Sequence, residues 1–224
     1  MVRRVRSVRI VRAPPFGNPE EAIEAAVDVV RRGGVLGYPT ETVYGIGGDA
    51  TSQRVVNRIC ELKGRDETKP FIILAQSIET VRVLSDNLSR KTHDLMHHFW
   101  PGPLTLVMRS TAQFPDGIAG SGGLVAIRVS PDRICRRILE QLDVPLVSTS
   151  ANPAGCEPAQ TAKELAHYFP TDLDLIVDGG DRKSAPPSTV VDVSGTVPLI
   201  LRRGAIPAAA IRDVAGELDE AQGA

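Results

Sequence analysis

Residues 38 to 50 read YPTETVYGIGGDA, which puts threonine hydroxyls, a glutamate carboxylate and tyrosine phenols just ahead of a glycine cluster. The apolar run that leads into it reads as a strand, so this hydrogen-bonding capacity stands at a strand end, where α/β sheets commonly meet their ligands. The same residues also suit a plain turn, with Gly45, Gly47 and Gly48 letting the chain reverse. A second cluster follows in KGRDETKP, where Lys63, Arg65 and Lys69 fall within seven residues at the end of a helix. Such a cluster complements a helix C-terminus. It also suits phosphate, and the chain has no GxxxxGK[ST] or GxGxxG loop, so any phosphate here must be held by basic side chains.

Arg128 lies in VAIRVS on the face opposite Val125, Ile127 and Val129, where its fork can take a carboxylate in two-point fashion or face water. STSANPAG (148 to 155) ends an apolar strand in small polar residues that let a ligand come close to the backbone. Ser188 and Thr189 open another strand, and Arg202 ends a third. Several strand ends carrying ligand-competent groups imply one cleft assembled from distant segments.

Other chemistries find little support. His93 and His97 have i, i+4 spacing but no third ligand, which reads as a helix surface, and His98 and Trp100 read as packing residues. There is no GxSxG or Cys/His pattern for covalent catalysis. Cys60, Cys135 and Cys156 are odd in number and lack CxxC spacing, which points to ordinary thiols in a reducing compartment.

The elements that must position these groups follow from periodicity. GNPEEAIEAAVDVVRRGG predicts a helix capped at Asn18, with Pro19 at its first position and Ile23, Val27 and Val30 inward. QRVVNRICELKG, IETVRVL, RKTHDLMHHFW, DRICRRILEQL and AKELAHYF also read as helices. VLGYPT, PFIILAQ, PLTLVMR, LVAIRVS, PLVSTS, LDLIVDGG, STVVDVSG and PLILRRG read as strands. Strand pairs without a helix between them imply a mixed sheet in one α/β domain. QFPDGIAGSGG (113 to 123) and DGGDRKSAPPS (178 to 188) read as mobile loops over the cleft, and the polar tail GELDEAQGA as frayed.

With 26 basic and 27 acidic residues among 224, the net charge of −1 excludes polyanion binding by bulk charge. The length suits a real core, with roughly 70 per cent of the surface buried on folding. No stretch approaches the ~20 apolar residues of a membrane span, and no secretory signal opens the chain, so a soluble cytoplasmic protein is expected. The opening MVRRVRSVRIVR carries Arg3, Arg4, Arg6, Arg9 and Arg12 without an acid. A transit peptide or an RNA-binding arm has this composition, but valine and isoleucine interleaved with arginine fit a charged edge strand better.

Taken in order, PTETVYGIGGDA, KGRDETKP, FWPGPLTLVM, VAIRVS, STSANPAG, STVVD and LRRG resemble the YrdC-type threonylcarbamoyl-AMP synthases over about residues 18 to 207. The resemblance implies an α/β (α+β) fold: a single YrdC-like domain with a mixed, twisted sheet and flanking helices around a central cleft. A basic segment (1–17) would precede it, and a C-terminal helix and tail (208–224) would follow. It implies condensation of L-threonine, bicarbonate and ATP, as its Mg²⁺ complex, into threonylcarbamoyl-AMP and pyrophosphate for tRNA modification. A downstream threonylcarbamoyl transferase, and a contact with tRNA, come with that role. By the same resemblance Thr42, Arg128, Ser148 and Ser188 hold threonine. Lys63, Arg65, Lys69, Ser150, Asn152 and Arg202 line the ATP side, with Lys63 and Arg65 acting on the phosphates and no protein-held metal.

The chain departs from the family pattern at Glu41, where many members have Asp, at Leu74, where some long forms have His, and at the prolines of SAPPSTVVD. It ends soon after LRRGAIP, so the extra C-terminal domain of the long form is expected to be absent. The alternative readings are a non-catalytic double-stranded-RNA or tRNA-binding relative and a YciO-like relative of the same fold. The intact KxRxxxKP and SAN patterns favour the synthase.

Overall fold

A computed structural model describes residues 7–14, 17–64, 71–85, 88–182 and 185–223. Arg3, Arg4, Arg6, Arg65 and Lys69 lie outside the described residues. The first half of the chain runs β1 (Ile10–Arg12), α1 (Glu20–Arg31), β2 (Leu36–Pro39), β3 (Tyr44–Asp49), α2 (Gln53–Lys63), β4 (Ile72–Leu74), α3 (Ile78–Leu84) and α4 (Arg90–Phe99). It continues with β5 (Leu104–Arg109), β6 (Leu124–Arg128), α5 (Arg133–Glu140), β7 (Leu146–Ser150) and α6 (Ala162–Tyr168). The last elements are β8 (Leu175–Asp178), β9 (Thr189–Asp192), β10 (Leu199–Arg202), α7 (Ala208–Ala215) and β11 (Asp219–Glu220).

The strands form one open sheet in the order β1-β8-β2-β3-β7-β4-β6-β5-β9-β10-β11. Its pairing is mixed: β4 is parallel to β6 and antiparallel to β7, and β5 is antiparallel to β6 and parallel to β9. Strand side chains alternate between faces. On one face Ile46, Ile73, Leu104, Leu106, Ile127, Val147 and Val191 pack in a large core with α2, α3, α4, α6 and α7. On the other, Leu36, Tyr38, Leu74, Leu146 and Leu175 pack with α1 and α5 alone. Two helices cover only part of that face, and the uncovered part is where polar residues appear in the strands.

Local chemistry explains the element ends. The start of α1 falls one residue later than expected: Pro19, not Asn18, is the N-cap, its carbonyl accepting from Ala22 and Ile23, while Asn18 Oδ1 accepts the Glu20 N–H at 3.1 Å from just outside the helix. Gly64 ends α2 in the left-handed region at φ 53, a conformation that most side chains resist. Residues 40–43 connect β2 and β3 as an antiparallel hairpin. The following glycines differ from the turn reading: Gly45, Gly47 and Gly48 all lie inside β3. A Cβ on Gly47 would stand 2.2 Å from the Val147 carbonyl oxygen and 3.0 Å from the Tyr38 ring, so the absent side chain is what lets β3 approach both neighbours.

Three further expectations meet the structure. β1 is an edge strand parallel to β8, with Val11 inward and Ile10 and Arg12 outward. The loop 113–123 contributes nothing to the cavity described below. Ile118 is fully buried, Gln53 Oε1 accepts the Asp116 N–H at 3.0 Å, and the Gly117 carbonyl accepts from Phe71, so this loop braces α2. The tail is not simply frayed, because Asp219 and Glu220 pair with β10 and the Arg203 guanidinium donates to Glu220 Oε2.

Candidate functional site

The uncovered part of the sheet floors a cavity of about 520 Å³. Cross-strand register brings its floor together: Ser148 sits opposite Gly47 on one side and Ile72 on the other, Ile72 opposite Ala126, and Ala126 opposite Val107. Thr105 sits opposite Val190, and Val190 opposite Arg202. Thr42, Arg128, Ser148, Ser150, Ser188 and Arg202 all line this one space, although 160 positions separate the first from the last.

At one end Arg128, 6% exposed, pairs with Glu41: its Nη1 lies 2.9 Å from Glu41 Oε1. The pair is not aligned as a hydrogen bond, so Glu41 Oε1 has no hydrogen-bond partner, and neither does the buried Arg128 Nε. Ser130 Oγ donates to Glu41 Oε2 at 2.6 Å and accepts the Asp132 N–H at 3.2 Å. The hairpin bend is held by Thr40, whose hydroxyl donates to the Val43 carbonyl at 2.6 Å and lies 3.1 Å from the Thr42 hydroxyl. Thr40 therefore sets the bend that places Thr42 in the wall.

The opposite wall is built on Ser188. Its Oγ lies 2.9 Å from Thr105 Oγ1 and accepts from Arg202 Nη2 at 3.0 Å, while its carbonyl accepts from the same nitrogen at 2.8 Å. Arg202 is held below its ordinary guanidinium pKa, chiefly by burial and then by the like charge of Arg128. Two cations facing one space favour an anionic occupant. Glu157 adds a carboxylate to the lining.

Lys63 and Asn152 come to the rim without lining the cavity. Lys63, 6% exposed, donates from Nζ to the Ser150 carbonyl at 2.8 Å, the Asn152 carbonyl at 2.6 Å and Asn152 Oδ1 at 2.8 Å. Ser150 Oγ donates to the same Oδ1 at 2.6 Å, and Asn152 Nδ2 donates to the Cys156 carbonyl at 2.6 Å. The Lys63 ammonium thus underpins the Ser-Ala-Asn turn from below.

Some residues took a different part from the one their sequence position suggested. Thr189 serves the fold: its hydroxyl donates to the Ile206 carbonyl at 2.8 Å and accepts the Ile206 N–H at 2.9 Å. Tyr44 is among the residues along the cavity, but its hydroxyl serves the fold: pushed up in pKa by burial and by Asp178, it donates to the Gly180 carbonyl at 2.9 Å and accepts the Gly179 N–H at 3.1 Å. Thr105 and Gln160 line the cavity without having been singled out. Thr105 was detectable as the one hydroxyl inside the apolar strand PLTLVM; Gln160 left no signal. Among the described residues no three His, Cys, Asp or Glu side chains form a metal-binding group; His97 is exposed on α4 and His93 half-buried.

The arrangement can seat a carboxylate at Arg128, a small hydroxyl-bearing body among Thr42, Ser148 and Ser188, and a second anion near Arg202. The described lining pairs no nucleophilic side chain with an activating base. Such a site works by positioning and charge stabilisation.

The profile of the Sua5_yciO_yrdC family, described as telomere recombination, matches residues 28–204. A threonylcarbamoyl-AMP synthase of Pyrococcus abyssi is 36% identical over 199 residues, covering 89% of this chain and 58% of that protein. One of Marinobacter nauticus is 38% identical over 169 residues, covering 75% of this chain and 89% of the relative. The crystal structure of P. abyssi Sua5 complexed with L-threonine superposes with a TM-score of 0.89 at 34% identity, over 95% of this chain and 62% of that one. The chain thus spans less than two thirds of the archaeal relative it matches.

Proposed function

The chain belongs to the Sua5, YciO and YrdC family, and we propose that it is a threonylcarbamoyl-AMP synthase, a nucleotidyltransferase that condenses L-threonine, bicarbonate and ATP for tRNA threonylcarbamoyladenosine. The observation that carries this reading is the convergence of Arg128, Thr42, Ser148 and Ser188 on one cavity that also holds Arg202. Arg128 suits the substrate carboxylate, and the three hydroxyls suit a side chain that itself carries one.

The chemistry needs no covalent enzyme intermediate. The neutral threonine amine attacks carbon dioxide, or bicarbonate with loss of water, and the nitrogen gives up a proton to leave a carbamate anion. A carbamate oxygen then attacks the α-phosphorus, and the bond to the bridging oxygen breaks to release pyrophosphate. Negative charge gathers on the leaving group and on the phosphoryl oxygens, where Arg202 and the basic residues Arg65 and Lys69 would stabilise it. The Ser150–Asn152 turn, braced by Lys63, would border the nucleotide. Mg²⁺ would enter with ATP as part of the substrate. The mixed anhydride would pass to a separate transferase that acts on tRNA, with tRNA contact and a cytoplasmic setting as parts of the same proposal.

The test is pyrophosphate release at saturating ATP and bicarbonate with threonine, serine and valine in turn. A site that hydrogen-bonds a substrate hydroxyl discriminates strongly against the analogue without it, by as much as ~10⁴-fold. Threonine should be turned over best, serine less well, and valine scarcely. Equal rates with valine and threonine would refute hydroxyl recognition, and no pyrophosphate with any of them would refute the assignment.

A further inference from the structure

We infer that Glu41 is a positioning residue that aims the Arg128 guanidinium at the substrate carboxylate, and so sets threonine affinity without touching threonine. The inference rests on the function proposed above. Glu41 is not part of the cavity lining, whereas its neighbours Thr40 and Thr42 are. Its carboxylate lies behind the wall, with one oxygen 2.9 Å from Arg128 Nη1 and the other accepting from Ser130 Oγ at 2.6 Å.

Two features make this more than a passive ion pair. First, Arg128 is buried and shares the cavity with the like charge of Arg202, so an untethered guanidinium would swing toward solvent. Glu41 supplies the opposing charge from the wall side and holds the fork against the floor. Second, the tether is itself anchored. Ser130 Oγ also accepts the Asp132 N–H, and Asp132 caps α5 by accepting the N–H groups of Ile134 and Cys135 at 2.9 and 3.0 Å. The position of Glu41 is therefore referred to a helix terminus. Glu41 engages Arg128 through Nη1 from behind the wall, and Arg128 itself still lines the cavity, so the pairing orients the guanidinium without filling the space a carboxylate would take.

The test is steady-state pyrophosphate release by the parent, Glu41→Gln, Glu41→Asp and Ser130→Ala, with threonine and ATP varied separately and thermal stability recorded for each. Glu41→Gln keeps the shape and removes the charge. It should raise KM for threonine about ten-fold, with kcat and KM for ATP within about two-fold of the parent. Glu41→Asp restores the charge one methylene short and should recover part of the loss. Ser130→Ala frees one oxygen and should raise KM for threonine by roughly three-fold. The inference is overturned if Glu41→Gln matches the parent, or if kcat and both KM values move together with thermal stability. Should Glu41→Gln not fold, a Ser130→Ala variant with parental KM overturns it equally. A parent that turns over threonine beside an unaffected Glu41→Gln refutes this inference alone, whereas a parent that releases no pyrophosphate refutes the functional reading and this one with it.

Discussion

Replacing Lys63 by methionine separates a phosphate contact from a structural brace. The methionine keeps the length and most of the volume of the side chain while removing the ammonium. In the structure that ammonium meets three oxygens at 2.6 to 2.8 Å, the carbonyls of Ser150 and Asn152 and Asn152 Oδ1. A hydrogen bond to a charged group contributes about 1.5 to 3 kcal/mol, and an acceptor left unsatisfied costs about 1 to 3. The three share one ammonium and are not additive, and removing the charge also relieves its desolvation. A net loss of about 3 kcal/mol follows, or a fall in Tm of roughly 6 to 12 °C for a chain of this size. The assay is thermal unfolding by circular dichroism without nucleotide, beside the exposed Lys163→Met as control. ATP affinity should fall as well, because Ser150 and Asn152 lose their support. A Tm within about 2 °C of the parent, with turnover still lost, would refute the brace and return Lys63 to a direct role on phosphate.

Gly47→Ala forces a Cβ to 2.2 Å from the Val147 carbonyl oxygen, so β3 and β7 must part. It should cost at least about 3 kcal/mol, read as a lowered midpoint in urea, and a parental midpoint would show the sheet to be more compliant than its spacing suggests. The Cys135 thiol is fully buried and pushed up to about 12 by that burial and by Asp132, while Cys156 is exposed. A raised thiol pKa leaves only about one part in 10⁴ as thiolate near pH 8, so iodoacetamide should label Cys156 in the folded protein and Cys135 only after denaturation, as followed by peptide mass spectrometry.

Periodicity located most elements because their signals are local. Ile23, Val27 and Val30 mark the inner stripe of α1, and the alternation in VAIRVS put Arg128 on its own face. What the sequence could not show was which polar residues would meet. Thr189 and Ser188 are adjacent and both hydroxylic, yet one closes a loop onto Ile206 and the other faces the cavity. The difference lies in strand parity against partners fourteen or more residues away. Glu41 shows the same limit: its link to Ser130 crosses 89 positions, and nothing local in PTET announces it. Glycines at 45, 47 and 48 were legible as special but not for the right reason, because close approach between strands leaves the same mark as a turn.

The floor of the cavity has a consequence for how the site can fail. Because it is drawn from seven adjacent strands by cross-strand register, a slip of one residue in any of them would exchange its polar positions for the apolar ones packed beneath. In β7 that would turn Ser148 inward and Val147 outward, which costs core burial and recognition in the same movement. The site therefore has no half-built version in which the fold persists with a misaligned floor. Ligand competence works as a checksum on the pairing of the sheet, and a chain that binds has, by that fact, found its register.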